Sequence, residues 1–539
     1  DQVFANFGQG SGVTDMKSTI DADVNLASFF GRLNYNYKER YLLTFTARED
    51  GSSKFAMGNK WGFFPAASAA WRIIEEPFMA GTKKVLSNLK LRLSYGEAGN
   101  NRISNSQYLM IYSANSGSKR YGVGESANNH LSTTSVLANP NLTWETTITR
   151  NVGVDFGFLD ERITGSVELY WNTAKDLLIE HSITAPGYTT MYENSAETEN
   201  KGIDVSLNFN LVNKRDFSLS AYANINFNKS KVKSLSGGLE SMPFQSGWAG
   251  TDNKNTDDYI VRVGDPIGLV YGWEVDYSNG HPYYTTNDFE SYDPASKTYK
   301  LKDGVATTSL LGGAIGVRPG TLKLKDLNND GVVDLDDRTV IGDTNPTCSG
   351  GFGLNATYKD FDFTANFTYS VGNDIYNANK IATTQQYRSG TYPNMLKIMS
   401  QSNSYSYLNQ ETGLLLTSLE ELAAANEGAN AKEYWSPYSL GNATIIPTDW
   451  ALEDASYLRL QSVTLGYTLP TKLTKQVGIQ RCRFYVTASN LFCITGYSGY
   501  DPEVSSYSRN SSYSGLTPGI DYSSYPKSRA FTFGLNVTL

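Results

Sequence analysis

GGFGLNATYKDFDFTANFTYSVG, Gly350 to Gly372, is the stretch whose reading decides the fold. Phe352, Leu354, Ala356 and Tyr358 alternate with small or polar residues. Lys359-Asp360 then reverses the chain, and Phe361, Phe363, Ala365, Phe367, Tyr369 and Val371 alternate on the return. A side-chain period of two around a short turn predicts a hairpin with one apolar and one polar face. A single hairpin of this kind suits a soluble sandwich as well as a membrane barrel. Its recurrence along the chain separates the two.

Leu33, Tyr35 and Tyr37 share one phase, the chain turns at Lys38-Glu39-Arg40, and Tyr41, Leu43, Phe45 and Ala47 return. Trp61 to Ile73 follows as a strand in which Pro65 predicts a bulge, and Leu89, Leu91, Leu93 and Tyr95 alternate with Lys90, Arg92 and Ser94. Val152 to Phe158 and Ile163 to Trp171 flank a turn at Leu159–Arg162, and Ile203 to Leu211 precedes Phe217 to Phe227. Val270 to Tyr277 is a further candidate, and the last strands run over Leu458–Leu469, Arg483–Cys493 and Arg529–Leu539. The count is about fourteen strands. Very short turns alternate with excursions of tens of residues, as in an outer-membrane barrel with short turns at one rim and long loops at the other. Such loops are uncommon in compact soluble domains.

Charge placement is an independent test. Arg32, Arg48, Arg92, Asp155, Glu168, Asp204 and Asp362 all fall opposite the apolar phase of their strands. A lipid-facing Arg or Lys at the midplane costs about 2–4 kcal/mol, whereas a wet lumen tolerates it. Arg150 and Arg459 break the phase and are read as rim positions or bulges. Composition agrees: 539 residues with 19% charged, 13% aromatic and 36 Tyr suit aromatic girdles better than a cytosolic enzyme. A net charge of −8 without a basic run argues against nucleic acid. Three cysteines, without CxxC, give neither a zinc site nor a disulfide framework, and three scattered histidines do not suggest a histidine centre.

The stretch Arg40–Ile73, RYLLTFTAREDGSSKF through WGFFPAASAAWRI, resembles the SusC/RagA-type TonB-dependent outer-membrane transporters. So do LKLRLSYGEAGN (Leu89–Asn100), NPNLTWETT (Asn139–Thr147), DLNNDGVVDLDDRTVIGDTNP (Asp326–Pro346), GNDIYN (Gly372–Asn377) and YLRLQSVTLGYTLP (Tyr457–Pro470). Asn490–Phe492, Gly499–Glu503 and the closing FTFGLNVTL (Phe531–Leu539) complete the order. The resemblance implies an all-β antiparallel transmembrane β-barrel with long extracellular loops in the outer membrane of a Gram-negative bacterium. Family members also carry a signal peptide, a β-sandwich extension, a TonB box, a plug domain and the first barrel strands ahead of this region. Residues 1–539 are therefore expected to be a single barrel region, the C-terminal part of a larger plugged barrel. Two departures stand out: Leu539 replaces the usual terminal aromatic residue, and Cys348 lies where an aromatic or small residue is expected.

Asp326, Asn328, Asp330, Asp334 and Asp337 occupy positions 1, 3, 5, 9 and 12 of a calcium-type loop, with Gly331 at 6 and the Val332 carbonyl at 7. Hard oxygen donors suit a structural Ca²⁺, and Asp in place of Glu at position 12 shortens the reach. The competing reading is an Asp/Asn/Gly-rich turn without an ion. Since Lys359-Asp360 marks the short-turn end, this loop is expected at the opposite, extracellular rim. Aromatic residues crowd the long loops. Tyr497, Tyr500, Tyr507, Tyr513, Tyr522 and Tyr525, with Trp435, are the candidate substrate contacts, since rings beside polar groups can stack on sugars. Loop packing and membrane anchoring are the competing reading for each.

The resemblance implies import of an oligosaccharide, less commonly a peptide, beneath a SusD-like surface lipoprotein and driven by TonB through the plug. The alternatives are a passive porin or glycan-binding barrel without energy coupling, and a soluble calcium-dependent sugar hydrolase. No acid pair singles out a hydrolase.

Overall fold

The computed structural model describes residues 24–115, 121–123, 126–128, 130–248, 257–311, 316–384, 394–438, 446–505 and 515–539. The chain divides into two compact units. The first comprises residues 1–213, 220–240 and 263–265, and the second residues 214–219, 241–262 and 266–539.

In the first unit the strands follow one another in chain order: β1 (Leu26–Tyr37), β2 (Tyr41–Ser52), β3 (Trp61–Arg72), β4 (Leu86–Asn100), β5 (Glu145–Phe158), β6 (Ile163–Ala185), β7 (Tyr188–Lys214) and β8 (Phe217–Ser234). β1 to β7 are antiparallel at each step. The opening residues of β8, 217–219, belong to the second unit. The tight turns use left-handed backbone at Lys38 and Glu39, and again at Leu159, Asp160 and Glu161. β6 and β7 are 23 and 27 residues long, and their pairing slips at Ala174/Leu177, Leu177/Leu178 and Ser182/Ala185 before the turn at Pro186-Gly187.

The register lines up the two faces in rows. Leu93, Val152, Leu169 and Ile203 stand opposite one another across β4 to β7, as do Leu91, Val154, Val167 and Val205. The intervening row is Arg92, Gly153, Glu168 and Asp204. Among the described residues no second layer covers the apolar rows: Leu33 is 65% exposed, Phe45 52% and Leu169 47%. Lipid is the solvent that such a face requires.

The second unit carries the wall strands β9 (Cys348–Tyr358), β10 (Phe361–Val371), β11 (Tyr457–Thr468), β12 (Arg481–Ser489) and β13 (Ala530–Thr538), antiparallel in that order. Their apolar face is uncovered too, with Leu465 54% and Phe533 77% exposed. Thirteen long wall strands are thus seen among the described residues, against about fourteen expected.

The missing one is Val270–Tyr277. Leu269–Gly272 instead belongs to a four-stranded sheet with Ser241–Phe244, Tyr259–Arg262 and Thr339–Asp343, and Trp273 and Val275 enter a buried core. That core also holds Tyr283, Leu322, Tyr405 and Trp435, from segments that the sequence reads as loops, and Leu422 of a short helix. The sequence Ser418-x-x-Glu421 is a capping-box pattern that predicts a short helix after Ser418, and one is present at Leu419–Asn426, with Ser418 accepting from the Glu421 amide. The long connections of the second unit therefore fold around a hydrophobic interior of their own.

Several local expectations are corrected or explained. Pro65 makes no bulge, since it faces Ala47 in unbroken β2–β3 register and β3–β4 pairing begins only at Ala66. Arg483–Cys493 is not one strand: β12 ends at Ser489, Asn490 is left-handed, and Cys493–Thr495 pairs with the start of β11. Arg459 keeps the polar phase because the β10–β11 register shifts between Asn366 and Phe367, leaving Gln461 as the extra residue of a β-bulge. Arg150 sits in unshifted register, its guanidinium 6.0 Å from the Tyr95 ring centre and 5.8 Å from that of Trp171. It lies in an aromatic setting and is not at a bulge.

Candidate functional site

The polar face of the first unit is a built surface. Arg92 donates to Asp155 from Nε and Nη2, and its Nη2 also reaches Glu168 Oε1 at 2.6 Å. To span those strands the guanidinium crosses Gly153, where an added Cβ would lie 3.0 Å from Arg92 Cζ. Asn151 donates to the second Glu168 oxygen at 3.0 Å, and Asn226 donates to Asp204. The second unit repeats the device, with Arg483 pairing with Asp362. Partial exposure of Arg92, Asp155 and Glu168 makes this a wetted, hydrogen-bonding wall.

The aromatic candidates disperse. Trp435 is 1% exposed and packs edge-on against Trp450 at 4.9 Å, so its indole offers no face to a ligand. Tyr497 is buried and donates to Asp521 at 2.7 Å, and burial raises its hydroxyl pKa. The Tyr522 ring lies 4.9 Å from that of Trp248. Tyr500 and Tyr525 stand free at 77% and 90% exposure. Tyr507 and Tyr513 lie outside the described residues. The acids Glu274 and Asp276 pair with Lys325 and Lys323.

In the calcium-type loop Gly331 takes the left-handed turn at φ 89°. One oxygen of each of the Asp326, Asn328, Asp330 and Asp334 side chains is taken up by the loop's own amides. Asp326 Oδ2 accepts from Gly331 N, Asn328 Oδ1 from Asp330 N, Asp330 Oδ1 from Val332 N and Asp334 Oδ1 from Asp336 N. Fully buried Asp337 accepts from the amides of Leu327, Asn328 and Asp334. Asp326 Oδ1 is buried without a hydrogen-bond partner. No three His, Cys, Asp or Glu side chains among the described residues gather into a metal-holding group. The donor chemistry and the orphaned oxygen fit a hard cation; the present side-chain arrangement does not converge on one.

Sequence reasoning passed over one further enclosure. Tyr299, Arg318, Tyr405 and Tyr407 line a common cavity in the second unit. They come from separate loop segments without a shared motif, so only the aromatic content around Tyr407 gave any signal.

The wall's paired polar rows, its uncovered apolar rows and its short-turn hairpins agree with the comparison to known proteins. The family described as TonB dependent receptor-like, beta-barrel matches residues 2–310. The chain belongs to this family. It is 32% identical, over 98% of its length, to TonB-dependent receptor P3 of Formosa agariphila, covering 47% of that protein. It is also 32% identical over 95% of its length to TonB-dependent receptor SusC of Bacteroides thetaiotaomicron, covering 43% of it. Among solved structures, the RagAB peptide importer in its closed-closed state superposes with a TM-score of 0.68 at 25% identity, over 95% of this chain and 47% of that one. The chain thus spans about half the length of the curated relatives it matches. The receptor barrel is an outer-membrane protein of the Gram-negative type, in a family of receptors and transporters, not enzymes.

Proposed function

We propose that this receptor barrel forms part of an outer-membrane importer of oligosaccharide, capped by a SusD-like surface lipoprotein and powered by TonB through a plug. The observation that carries this reading is the hydrogen-bonding wall of Arg92, Asn151, Asp155, Glu168 and Asp204, since a hydroxyl-rich solute needs many exposed donors and acceptors along its path. Tyr500 and Tyr525 are the candidate aromatic contacts with free faces. The likeness to the RagAB peptide importer supports peptide as the second reading.

Purification of the intact protein from outer membranes tests the proposal. The expected result is a co-purifying surface lipoprotein and an electrically closed barrel. A barrel that purifies alone and conducts ions as an open channel is a passive porin. We further propose that Asp326, Asn328, Asp330, the Val332 carbonyl, Asp334 and Asp337 hold a structural Ca²⁺. Its support is the donor set and the orphaned Asp326 Oδ1. Ca²⁺ should then raise the thermal midpoint relative to EGTA, and Asp330→Asn should weaken that shift. An unchanged midpoint would leave the loop as an ion-free turn.

A further inference from the structure

The cavity in the second unit has a volume of about 680 Å³, within the range of small-ligand pockets. Its walls are chiefly Tyr299, Tyr407, Met395, Met399, Leu415 and Leu416. Met399 and Leu416 belong to the buried core, and Tyr299, Met395 and Tyr407 pack against it, so the wall is anchored before any ligand arrives. The two tyrosine hydroxyls are tied back to the chain: Tyr299 donates to the Thr417 carbonyl and Tyr407 to the Pro319 carbonyl, both at 2.7 Å. The rings therefore show carbon to the cavity. Leu415 is 72% exposed, which leaves the mouth apolar and open.

The charge is one-sided. Arg318 and Lys297 line the cavity and no carboxylate among the described residues does. The Arg318 guanidinium lies 4.3 Å from the Tyr407 ring centre and donates from Nη2 to the Tyr438 carbonyl at 3.0 Å. Its Nε is buried without a hydrogen-bond partner. An arginine held by ring stacking and a backbone carbonyl presents a planar, fixed guanidinium at the cavity wall, the shape that a carboxylate matches. Burial pushes the Tyr299 and Tyr407 hydroxyls up to about 12, so both stay neutral beside an incoming acid.

We propose that this cavity binds a molecule with an apolar body ending in a carboxylate, its hydrocarbon or ring against the tyrosine and methionine wall and its acid on Arg318. A neutral oligosaccharide is a poor fit, since few polar groups face the space. The site goes beyond the import reading and stands whether or not the barrel transports anything. Two sources share the chemistry: a free aliphatic or aromatic acid, and the C-terminus of a peptide with an apolar last residue.

Calorimetry on the full chain in detergent tests the site with N-acetyl-Leu-Phe as the free acid, the same dipeptide as its amide, 4-phenylbutyrate and maltoheptaose. The free-acid dipeptide should bind at least about tenfold more tightly than the amide, the scale of one charge-assisted hydrogen bond. Its affinity should fall with added salt, while that of the amide should not. Arg318→Met, which keeps the stem over Tyr407, should erase the acid's advantage while leaving amide binding in place. Equal binding of 4-phenylbutyrate would point to free acids, and its absence beside a bound dipeptide would point to peptide ends. Equal affinity for acid and amide, salt-independent acid binding, or absence of binding by either acid would overturn the proposal. So would displacement of the dipeptide by maltoheptaose. The salt and amide comparisons use the unaltered protein, so they decide even if Arg318→Met fails to fold.

Discussion

Arg92 and Arg459 each hold two carboxylates, yet they sit in different solvents. Arg92, Asp155 and Glu168 keep between 24% and 30% of their side-chain surface exposed on the polar wall of the first unit. Arg459 and Asp501 keep 4% and 3%, with Arg459 Nη2 2.8 Å from Asp501 and Nε 2.6 Å from Glu503, the latter without hydrogen-bond alignment. The same pairing is water-screened in one place and dry in the other. The wall of the first unit thus behaves as a surface on both faces, one meeting lipid and one meeting water. The loop assembly of the second unit behaves as a globular interior.

Substitutions can break or sharpen that contrast. The largest effect is expected for Arg459→Met, which leaves the buried Asp501 charge opposed only by Lys527 at 3.8 Å, at a cost of up to about 3–5 kcal/mol. Denaturant unfolding of the second unit, followed by limited proteolysis of its loops, reads this. Next is Leu169→Arg, which places a cation in the exposed apolar row and should cost about 2–4 kcal/mol in a bilayer. Thr149→Arg, on the opposite face, should change folding yield in lipid vesicles little. If the two behave alike, the faces are not in different solvents.

A third test lies at Asp258, fully buried, where Ser246 donates to it from both its amide and its hydroxyl. Burial raises its carboxyl to about 7. The folded chain then holds a proton that the unfolded chain releases near pH 4, so this group's contribution falls as pH rises between about 4 and 7 and is level above. The slope is at most about 1.4 kcal/mol per pH unit. Thermal midpoints of Asp258→Asn should be flatter across that window than those of the parent. The smallest effect is expected for Arg92→Met, below about 1 kcal/mol, because water screens the acids it leaves behind. A loss as large as that for Arg459→Met would mean the polar wall is dry.

The wall was legible because its constraint is periodic. Phe352 to Val371 pair as the alternation requires, and the sorting of Arg92, Glu168 and Asp204 to one row is visible in the sequence alone. Arg459 needed the extra residue at Gln461 before its phase made sense, and a bulge leaves no pattern that a single sequence displays. The loop core was not legible at all. Tyr283, Tyr405 and Trp435 are buried from segments without regular period, and Trp273 from one that reads as a wall strand, so composition could mark them as aromatic but not as this interior. That is why Trp435 and Tyr497 look like ligand contacts in the sequence and turn out to be packed.

The hairpin of β6 and β7 carries a separate consequence. A tilted strand crosses the bilayer in about 9–11 residues, and these two run for 23 and 27. More than half of each ribbon must stand clear of the hydrocarbon, and the register begins to slip in that outer part, where lipid no longer enforces alternation. The outer part is not bare: beside the Pro186-Gly187 tip, Thr190 and Met191 pair with Val136 and Leu137, and Leu178 and Tyr192 pack on the Phe55, Phe64 and Trp144 cluster. That pairing gives the outer half of the hairpin a protein support in place of the lipid one, so a cut between Ser135 and Leu137 should loosen the tip while leaving the membrane-spanning part of the wall in register.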